Sequence, residues 1–452
     1  MYILLYMAHN ISPIDNRYKN KCEELRDLTS DFGINKIRYE VELRYFRMIL
    51  NLIFEYDYDK SVVDSLVNKF SIEDFTRIKE YERITNHDIK ALEYFIKAQI
   101  QQEDNQLLLN TYIEFVHFAL TSQDINSVTN TLVIKRSLED VIIPKLDTLL
   151  SLIDTHSKTW SSVYMMSKTH GQPAVTTSMG KEFYVFYTRL EKQIQKLKTI
   201  EYTSKFGGAV GNMNAHYFCY DKIDWSNELT SFLNDEFNIT RNLYTTQVDH
   251  YDNLGEIFDI LKRINTILID FNQDIWLYIS QNYFKLKVNS NETGSSTMPH
   301  KVNPINFENS EGNIHVANSL LSMFSSKLPI SRLQRDLTDS TISRNFGSGL
   351  SYCLIAYNSL IKGLLMLEIN EEVINSDLDN NYCILMEAVQ CIMKTEFIEN
   401  SYEIIKDVSR GKTITKETYK DIVSSLAISD ENKKKLLELT PQSYSGPFIS
   451  QH

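Results

Sequence analysis

The chain has 452 residues, enough for one to three domains, and carries 47 basic against 59 acidic side chains, a net charge of −12. An acidic chain lacks the basic surface that general nucleic-acid binding needs, and no run reaches the ~18–20 apolar residues of a membrane span. With 14 glycines and 8 prolines, the chain is poor in the residues that form the frequent turns of a sheet-rich fold. We therefore predict an all-α protein.

Apolar residues at helical spacing predict four long helices. In chain order they cover about 34–54, about 124–153 with an interruption near Pro144, a stretch that begins near Gly180, and about 255–284. The proline cannot continue a regular helix without a cap or a kink.

The helix near 255–284 is unusual in its length and its apolar surface. At 1.5 Å per residue it extends for ~45 Å, longer than a small domain is wide. Ile269, Trp276 and Leu277 lie off its main apolar stripe, so more than one face needs a partner. We expect it to pack in a large bundle shared between chains.

Beyond about residue 365 the chain becomes more charged and its periodic segments become shorter. This change predicts a separate small helical domain. We accordingly predict three helical domains: 1–110, a central long-helix bundle over 111–365, and 366–452.

Glycine and proline concentrate in three segments, 169–174, 207–211 and 294–304. Loops between rigid helices are where functional residues concentrate. The second segment does not match a dinucleotide-binding motif, because Phe206 stands where its first glycine is needed and no strand is predicted before it.

The ten histidines show no metal-ligand spacing, so no metal is expected. The five cysteines are scattered and include no Cys-x-x-Cys pair. This pattern indicates reduced thiols and a cytoplasmic protein.

The third segment, 294–304 (GSSTMPHKVNP), resembles the Gly-Ser-Ser-x-x-Pro-x-Lys-x-Asn signature of the fumarase/aspartase superfamily of lyases. Further segments resemble the bacterial-type adenylosuccinate lyase family, from about residue 12 to about residue 446. They are 12–18 (SPIDNRY), 85–88 (TNHD), 121–124 (TSQD), 169–173 (THGQP), Gln247 and 331–344. One departure is Asn16, where the family usually has glycine, and asparagine tolerates the same turn conformations.

The resemblance implies a β-elimination that releases fumarate, with no metal and no cofactor. Family members cleave adenylosuccinate to AMP, and succinyl-aminoimidazole-carboxamide ribotide to the aminoimidazole-carboxamide ribotide, in purine nucleotide biosynthesis. The reaction needs a base beside a succinyl carboxylate, an acid for the leaving nitrogen, and donors around two carboxylates and a phosphate.

The resemblance makes His170 the general acid and Glu308 the carboxylate that orients it. A carboxylate bonded to one ring nitrogen fixes the imidazole tautomer. The residues alone leave open a purely structural loop histidine and a solvated helix glutamate.

The general base implied by the resemblance is Ser295. A serine hydroxyl is a poor base at neutral pH, so this role needs surroundings that stabilise alkoxide character, such as Lys301 and backbone amides. Ser296 or a histidine stays an alternative. His87 is the rival on chemical grounds, although the family match places it beside the substrate phosphate and carboxylate.

The resemblance assigns the anionic groups of the substrate to polar and basic residues. Lys301 and Asn303 are expected to hold one succinyl carboxylate, and Thr121 and Ser122 the other. Arginine suits phosphate because its guanidinium is a rigid donor fork. The remaining substrate-binding residues are Arg17, Tyr18, Asn86, Asp88, Gln247, Asn309, Arg335, Ser340, Thr341 and Arg344.

The resemblance also implies a homotetramer whose central helical core comes from four chains, with His170, Ser295 and His87 of each site on different chains. The alternatives are another lyase of the superfamily, such as an argininosuccinate lyase, fumarase, aspartase or cycloisomerase, and a repurposed non-catalytic structural protein. Arg17 and the 335–344 segment favour a phosphate-bearing substrate over fumarate or aspartate.

Overall fold

The computed structural model describes residues 11–102, 107–287, 298 and 301–447. These residues are mainly α-helical, which confirms the predicted fold class. Their strands are short, three to seven residues each, and pair into three two-stranded sheets.

The chain divides by its internal contacts into two compact units. The first unit contains 1–147, 193–266 and 310–358, and the second contains 148–192, 267–309 and 359–452. The boundaries fall within the helices Ile143–Thr159, Met179–Lys198, Asp252–Ser280, Ile305–Lys327 and Phe346–Met366. The three-domain division by sequence stays a prediction.

The first unit holds most of the N-terminal helices and a short parallel strand pair, Thr203–Lys205 with Thr240–Asn242. Its other α-helices are Arg26–Thr29, Asp31–Phe54, Lys60–Lys69, Ile72–Thr85, Asp88–Gln102, Leu107–Thr111, Ser122–Ser137, Asn214–Cys219, Trp225–Phe237 and Thr338–Ser343. Its single turns of 3₁₀-helix are Pro13–Asp15, Lys19–Lys21, Glu23–Leu25 and Ile113–Phe115.

Two cores stabilise the first unit. Near the N-terminus, Tyr39, Phe46 and Phe95 are buried among the helices that follow residue 31. Between the long helices, the buried Asn265 donates to Asn318 Oδ1 at 2.9 Å and accepts from the Tyr357 hydroxyl at 2.6 Å. A buried amide fully engaged in this way fixes which helix faces meet.

The second unit contains a hairpin, Tyr164–Thr169 with Gln172–Ser178, and an antiparallel pair, Phe284–Leu286 with Leu367–Ile369. Its C-terminal helices pack around Leu385, Val389 and Tyr419. These helices are Glu371–Asp379, Met386–Thr395, Ser401–Ser409, Lys416–Ser425 and Asp430–Glu438, with a 3₁₀ turn at Tyr382–Leu385.

Aromatic rings form the core between the long helices of the second unit. Phe183 packs edge-on against Phe271 with ring centroids 5.4 Å apart, and Phe186 contacts the same ring at 5.0 Å. All three side chains are buried. Aromatic edge-to-face contacts of this kind add to the stability gained from burial alone.

The interruption predicted near Pro144 is a π-helical turn at Leu138–Ile142. It joins helix Ser122–Ser137 to helix Ile143–Thr159, and the N–H of Ile143 bonds to the carbonyl of Leu138. Proline has no N–H and crowds the carbonyl four residues earlier. The wider turn accommodates this defect while the chain stays helical.

Several apolar side chains on the long helices are exposed within one chain. Trp276 is 42% exposed, Leu277 48%, Ile305 58% and Leu365 57%. Large apolar residues exposed on long helices are found at surfaces that another chain covers.

One described helical stretch, Thr338–Met366, is long and apolar enough by composition to cross a membrane. About two thirds of its most apolar window, 67%, is buried inside the protein. Core helices of soluble proteins have the same length and apolar character, so this finding is weak evidence for a membrane span.

Gly180 allows a close helix approach that can be tested. A Cβ at this position would lie 2.3 Å from the Ser157 carbonyl oxygen and 2.6 Å from Ser161 Cα. We expect Gly180→Ala to destabilise the protein by ~1–3 kcal/mol through overpacking, seen as a lower apparent Tm. Gly446→Ala, with nothing within 4 Å, is the control. Equal Tm values for the two variants would contradict this packing.

Candidate active site

His87 lies between two helices of the first unit. Helix Ile72–Thr85 ends at Asn86, which adopts a left-handed conformation (φ 51°), and the next helix begins at Asp88. The Nδ1 atom of His87 accepts the backbone N–H of Lys90 at 3.1 Å. Its Nε2 atom lies 3.3 Å from the hydroxyl of Ser122.

Asp88 connects this segment to two arginines. Its carboxylate accepts from Arg38 at 2.8 Å. Burial raises the pKa of the Asp88 carboxyl, but the Arg38 guanidinium, the N–H of Ile89, the neighbouring His87 and the Arg344 guanidinium together outweigh burial, so the pKa lies below its usual value. The charge of Arg344 therefore acts close to the His87 segment.

Thr121 and Ser122 form the N-terminus of helix Ser122–Ser137. The N–H of Thr121 donates to Asp124 Oδ2 at 2.8 Å, in a capping box that fixes the entry of the chain into the helix. Ser122, which faces His87, thus stands at a helix N-terminus, where free N–H groups and the helix dipole favour anions.

Asp124 and Lys205 form an ion pair with no solvent exposure on either side chain, at 2.6 Å. Asp124 also accepts from the N–H groups of Gly207 and Gly208, and Lys205 donates to the Gly208 carbonyl at 2.7 Å. Burial lowers the pKa of the Lys205 amine, and the Asp124 carboxylate opposes that shift. One carboxylate therefore holds the 121–122 segment and the 207–208 loop together.

The glycine-rich segment 207–211 is a loop around this carboxylate. Gly208 has φ +77°, a conformation that favours glycine. The prediction that no strand precedes the segment was wrong, since Thr203–Lys205 is a strand. Its pairing strand is Thr240–Asn242, and both strands have three residues.

Gln247 joins the same loop to Arg335. Its amide nitrogen donates to the Ala209 carbonyl at 3.0 Å, and its Oε1 accepts from Arg335 Nη1 at 3.1 Å. The sequence placed both residues in the site, and the structure brings them into contact.

The buried carboxylate of Asp339 anchors the segment that carries Ser340, Thr341 and Arg344. It accepts from Gln123 at 3.1 Å and from the hydroxyl of Tyr251 at 3.4 Å. Arg344 is exposed and lines a cavity of about 240 Å³, together with residues of the 12–30 segment.

Arg17 and Tyr18 lie at the start of the described chain, in the first unit. Arg17 is exposed, and Tyr18 is half-buried with Lys21 Nζ 5.5 Å from its ring centre. Among the described residues, neither side chain has a hydrogen bond to another predicted site residue.

His170 occupies the tip of the hairpin in the second unit. His170 (φ 54°) and Gly171 (φ 72°) are the two central residues of the turn, both in the left-handed region. Two-residue hairpin turns of this type match the twist of the strands. The imidazole is exposed, so it is held out from the hairpin by its backbone.

The other predicted residues of the second unit lie at the start of helix Ile305–Lys327. Glu308 is exposed and accepts from the indole N–H of Trp276 at 3.1 Å. Asn309 accepts from the Ser359 hydroxyl at 2.7 Å. Lys301 is exposed and Asn303 is half-buried.

No hydrogen bond joins His170 to Glu308 among the described residues, so their pairing stays a proposal. Ser295 lies outside the described residues, as do Ser296 and His300. Within those same ranges, the structure contains no group of three or more His, Cys, Asp or Glu side chains that could hold a metal ion.

Sequence reasoning missed the buried polar groups beneath this site. The hydroxyl of Tyr45 lies 3.0 Å from Nε2 of the buried His216, and His117 pairs with the buried Glu42 at 2.6 Å. Asp124 belongs to the 121–124 segment that the sequence analysis singled out. Lys205 lies in a segment whose sequence does not indicate that it forms an ion pair with Asp124.

Comparisons with known proteins show which family the chain belongs to. A lyase family model matches residues 28–317, and an adenylosuccinate lyase C-terminal model matches 331–445. The fold resembles a fumarate lyase from Mesorhizobium sp. BNC1 (16% identity, TM-score 0.75, covering 94% of this chain and 95% of that one). It also resembles a β-carboxy-cis,cis-muconate cycloisomerase from Acinetobacter calcoaceticus sp. ADP1 (15%, TM-score 0.73, covering 95% and 97%). The fold and the matched family are thus those of a fumarase/aspartase-type lyase.

The named relatives of the chain show to which family of these lyases it belongs. The chain is 42% identical to an adenylosuccinate lyase from Escherichia coli strain K12 over 97% of both proteins. It is 44% identical to an adenylosuccinate lyase from Dictyostelium discoideum over 96% of both. The chain belongs to the adenylosuccinate lyase family.

The Asp124–Lys205 pair gives a stability prediction. Lys205→Met leaves a buried carboxylate without its cation and should cost ~3–5 kcal/mol of unfolding free energy. The double variant Asp124→Asn with Lys205→Met removes both charges and should recover more than half of that loss. Urea unfolding of the wild-type protein, the two single variants Lys205→Met and Asp124→Asn, and the double variant measures this. Losses that simply add in the double variant would contradict a coupled pair.

Proposed function

We propose that this protein is an adenylosuccinate lyase that eliminates fumarate from adenylosuccinate to give AMP. It performs the same elimination on succinyl-aminoimidazole-carboxamide ribotide to give the aminoimidazole-carboxamide ribotide, in purine nucleotide biosynthesis. No metal or cofactor takes part. The relationship to named adenylosuccinate lyases over almost the full chain supports the assignment.

The observation that carries the proposal is the concentration of anion-binding groups on one part of the first unit. Arg335 is held by Gln247, Arg344 acts on the His87 segment, and Ser122 lies at a helix N-terminus. In a chain of net charge −12, this local set of donors provides what a phosphate and two carboxylates require.

The reaction moves two protons. Ser295 takes the proton from the carbon beside a succinyl carboxylate, and that electron pair becomes the double bond of fumarate. The C–N bond breaks, and His170 gives a proton to the leaving nitrogen. Glu308 orients His170. Exposure of His170 at a hairpin tip supports this role, because its ring is free to meet a substrate held elsewhere.

The other residues bind and orient the substrate. Lys301 and Asn303 hold one carboxylate. Negative charge builds up on this carboxylate in the transition state, so Lys301 stabilises the transition state as well. Thr121 and Ser122 hold the second. The residues that bind the phosphate, the ribose and the remaining polar groups of the substrate are Arg17, Tyr18, Asn86, His87, Asp88, Gln247, Asn309, Arg335, Ser340, Thr341 and Arg344.

The enzyme acts as a cytoplasmic homotetramer with sites shared between subunits. The exposed apolar residues Trp276, Leu277 and Leu365 lie on helices of the length that a shared bundle needs. The distribution of the site residues supports the same conclusion, since no hydrogen bond joins His170 to Glu308 within the described part of one chain.

The activity is tested by mixing purified protein with adenylosuccinate and following absorbance for AMP and fumarate formation. Argininosuccinate is the comparison substrate, because the alternative lyase would use it. Turnover of argininosuccinate alone would overturn the proposal. An intact tetramer that turns over neither adenylosuccinate nor succinyl-aminoimidazole-carboxamide ribotide would overturn it as well.

Variants then separate catalysis from binding. His170→Ala should lower kcat by ~10²–10⁴-fold with little change in KM, since the acid acts on the leaving nitrogen. Arg335→Ala and Arg344→Ala should mainly raise KM, because phosphate is bound in ground and transition states alike. Arg410→Ala, at an exposed position near the C-terminus, is the control. A kcat loss confined to the arginine variants would reverse these roles.

Assembly provides a second test. Leu277→Asp places a charge on an exposed apolar position of a long helix and should yield smaller, inactive species in light scattering. Phe397→Asp is the matched control, because Phe397 is 92% exposed in a different segment. A fully active Leu277→Asp monomer would end the shared-site proposal.

A further inference from the structure

The hairpin that carries His170 has a buried base and a projecting outer half. At the base, Met166 is buried against the C-terminal helices, and the hydroxyl of Thr176 donates to the Pro441 carbonyl at 2.6 Å. The side chains of 168–173, which form the outer half, are exposed. The C-terminal core therefore fixes the base of the hairpin but not the half that presents His170.

A β-bulge separates the base of the hairpin from its outer half. The strand register shifts between Met166 and Lys168, where Ser167 alone faces two residues of the other strand. The hydroxyl of Ser167 donates to the Val175 carbonyl inside this irregular stretch. A bulge bends its strand and increases the local twist. The outer half therefore leaves the base in a new direction and needs its own support if His170 is to keep one position.

Lys168 connects the outer half of the hairpin to the end of the long helix Asp252–Ser280. Its amine donates to Oε1 of Gln281 at 2.5 Å and lies 5.8 Å from the centre of the Tyr283 ring. A cation at this distance from an aromatic ring is attracted to it. Among the described residues, no other side-chain hydrogen bond leads from 168–173 to another part of the chain. One amine therefore ties the outer half to its surroundings.

The turn at 281–283 is a rigid anchor for this amine. The side chain of Asn370 donates to the Asn282 carbonyl at 2.8 Å, and its backbone N–H donates to the Tyr283 carbonyl at 2.8 Å. Tyr283 is buried, and its hydroxyl donates to the carboxylate of Asp377. Buried groups with their hydrogen bonds satisfied keep fixed positions. A contact with this turn therefore restricts the hairpin.

We propose that Lys168 is a positioning residue for the proposed general acid. Its amine holds the outer half of the hairpin to the end of the long helix, and this contact keeps His170 in the position from which it protonates the leaving nitrogen. The inference rests on the proposed function for the role of His170. A displacement of ~1 Å can cost a catalytic group ~10²-fold in rate, so a contact two residues from His170 is close enough to control turnover.

Turnover of single variants tests this role. Lys168→Met removes the donor and should lower kcat by up to ~10²-fold with little change in KM. Gln281→Leu removes the acceptor and should give the same pattern, whereas Lys168→Arg keeps a charged donor and should retain most of the activity. Lys412→Met is the control, because this exposed lysine donates to the Asp407 carbonyl in a different segment at 2.8 Å.

A double-variant cycle distinguishes positioning from direct contact with substrate. If Lys168 acts through His170, then Lys168→Met should cause little further loss of kcat in a His170→Ala protein. Losses that multiply in the double variant would overturn the inference, because the amine would then act independently of the acid. A strongly raised KM for Lys168→Met in both backgrounds would also overturn it, since the amine would then bind substrate itself.

Amide hydrogen exchange tests the anchor without turnover. Exchange over 167–175 should be faster in Lys168→Met and Gln281→Leu than in the wild-type protein and Lys412→Met, with nearly equal Tm values, because an exposed contact adds little global stability. Unchanged exchange in both variants would overturn the inference. If the wild-type protein turns over no adenylosuccinate, the proposed function fails, while the exchange result still decides whether Lys168 holds the hairpin.

Discussion

The candidate site of the first unit depends on one buried carboxylate. Asp124 binds Lys205, the Thr121 N–H and the N–H groups of the 207–208 loop, and Gln247 donates to the carbonyl of Ala209 in the same loop. A buried ion pair is worth little as a source of stability, because desolvation offsets its attraction. Its value here is geometric: four donors fix one carboxylate through five hydrogen bonds, and the 121–122 segment and the 207–208 loop are held at set positions around it.

The predicted site residues are positioned by left-handed backbone conformations and a capped helix start rather than by mobile loops. Asn86 and His170 are held in left-handed conformations, and Ser122 begins a capped helix. Non-glycine residues in this region cost energy, which the surrounding structure must supply. A hairpin of six- and seven-residue strands and two helices of 14 and 15 residues provide that support. Side chains on such elements lose little entropy when substrate binds.

The sequence was sufficient to predict the fold class, the long helices and the family. Periodicity located the long helices to within a few residues, because their apolar stripes are continuous, and scarce glycines marked the functional loops. The hairpin that presents His170 escaped detection, since its strands carry no clear alternation, and so did the strand at Thr203–Lys205. Lys205 could not be found because pairing over 81 residues of separation leaves no periodic trace.

The buried His216 lowers the stability of the folded protein at acidic pH. Burial lowers the pKa of its imidazole to about 4, with Asp124 opposing the shift and Lys205 adding to it. Between the ordinary value of 6.5 and that pKa, the unfolded chain takes up a proton that the folded chain refuses, so falling pH removes up to about 3 kcal/mol of folding free energy per chain. Proton uptake by this buried residue can therefore limit the acid range in which the folded enzyme persists, independently of the pH dependence of its chemistry.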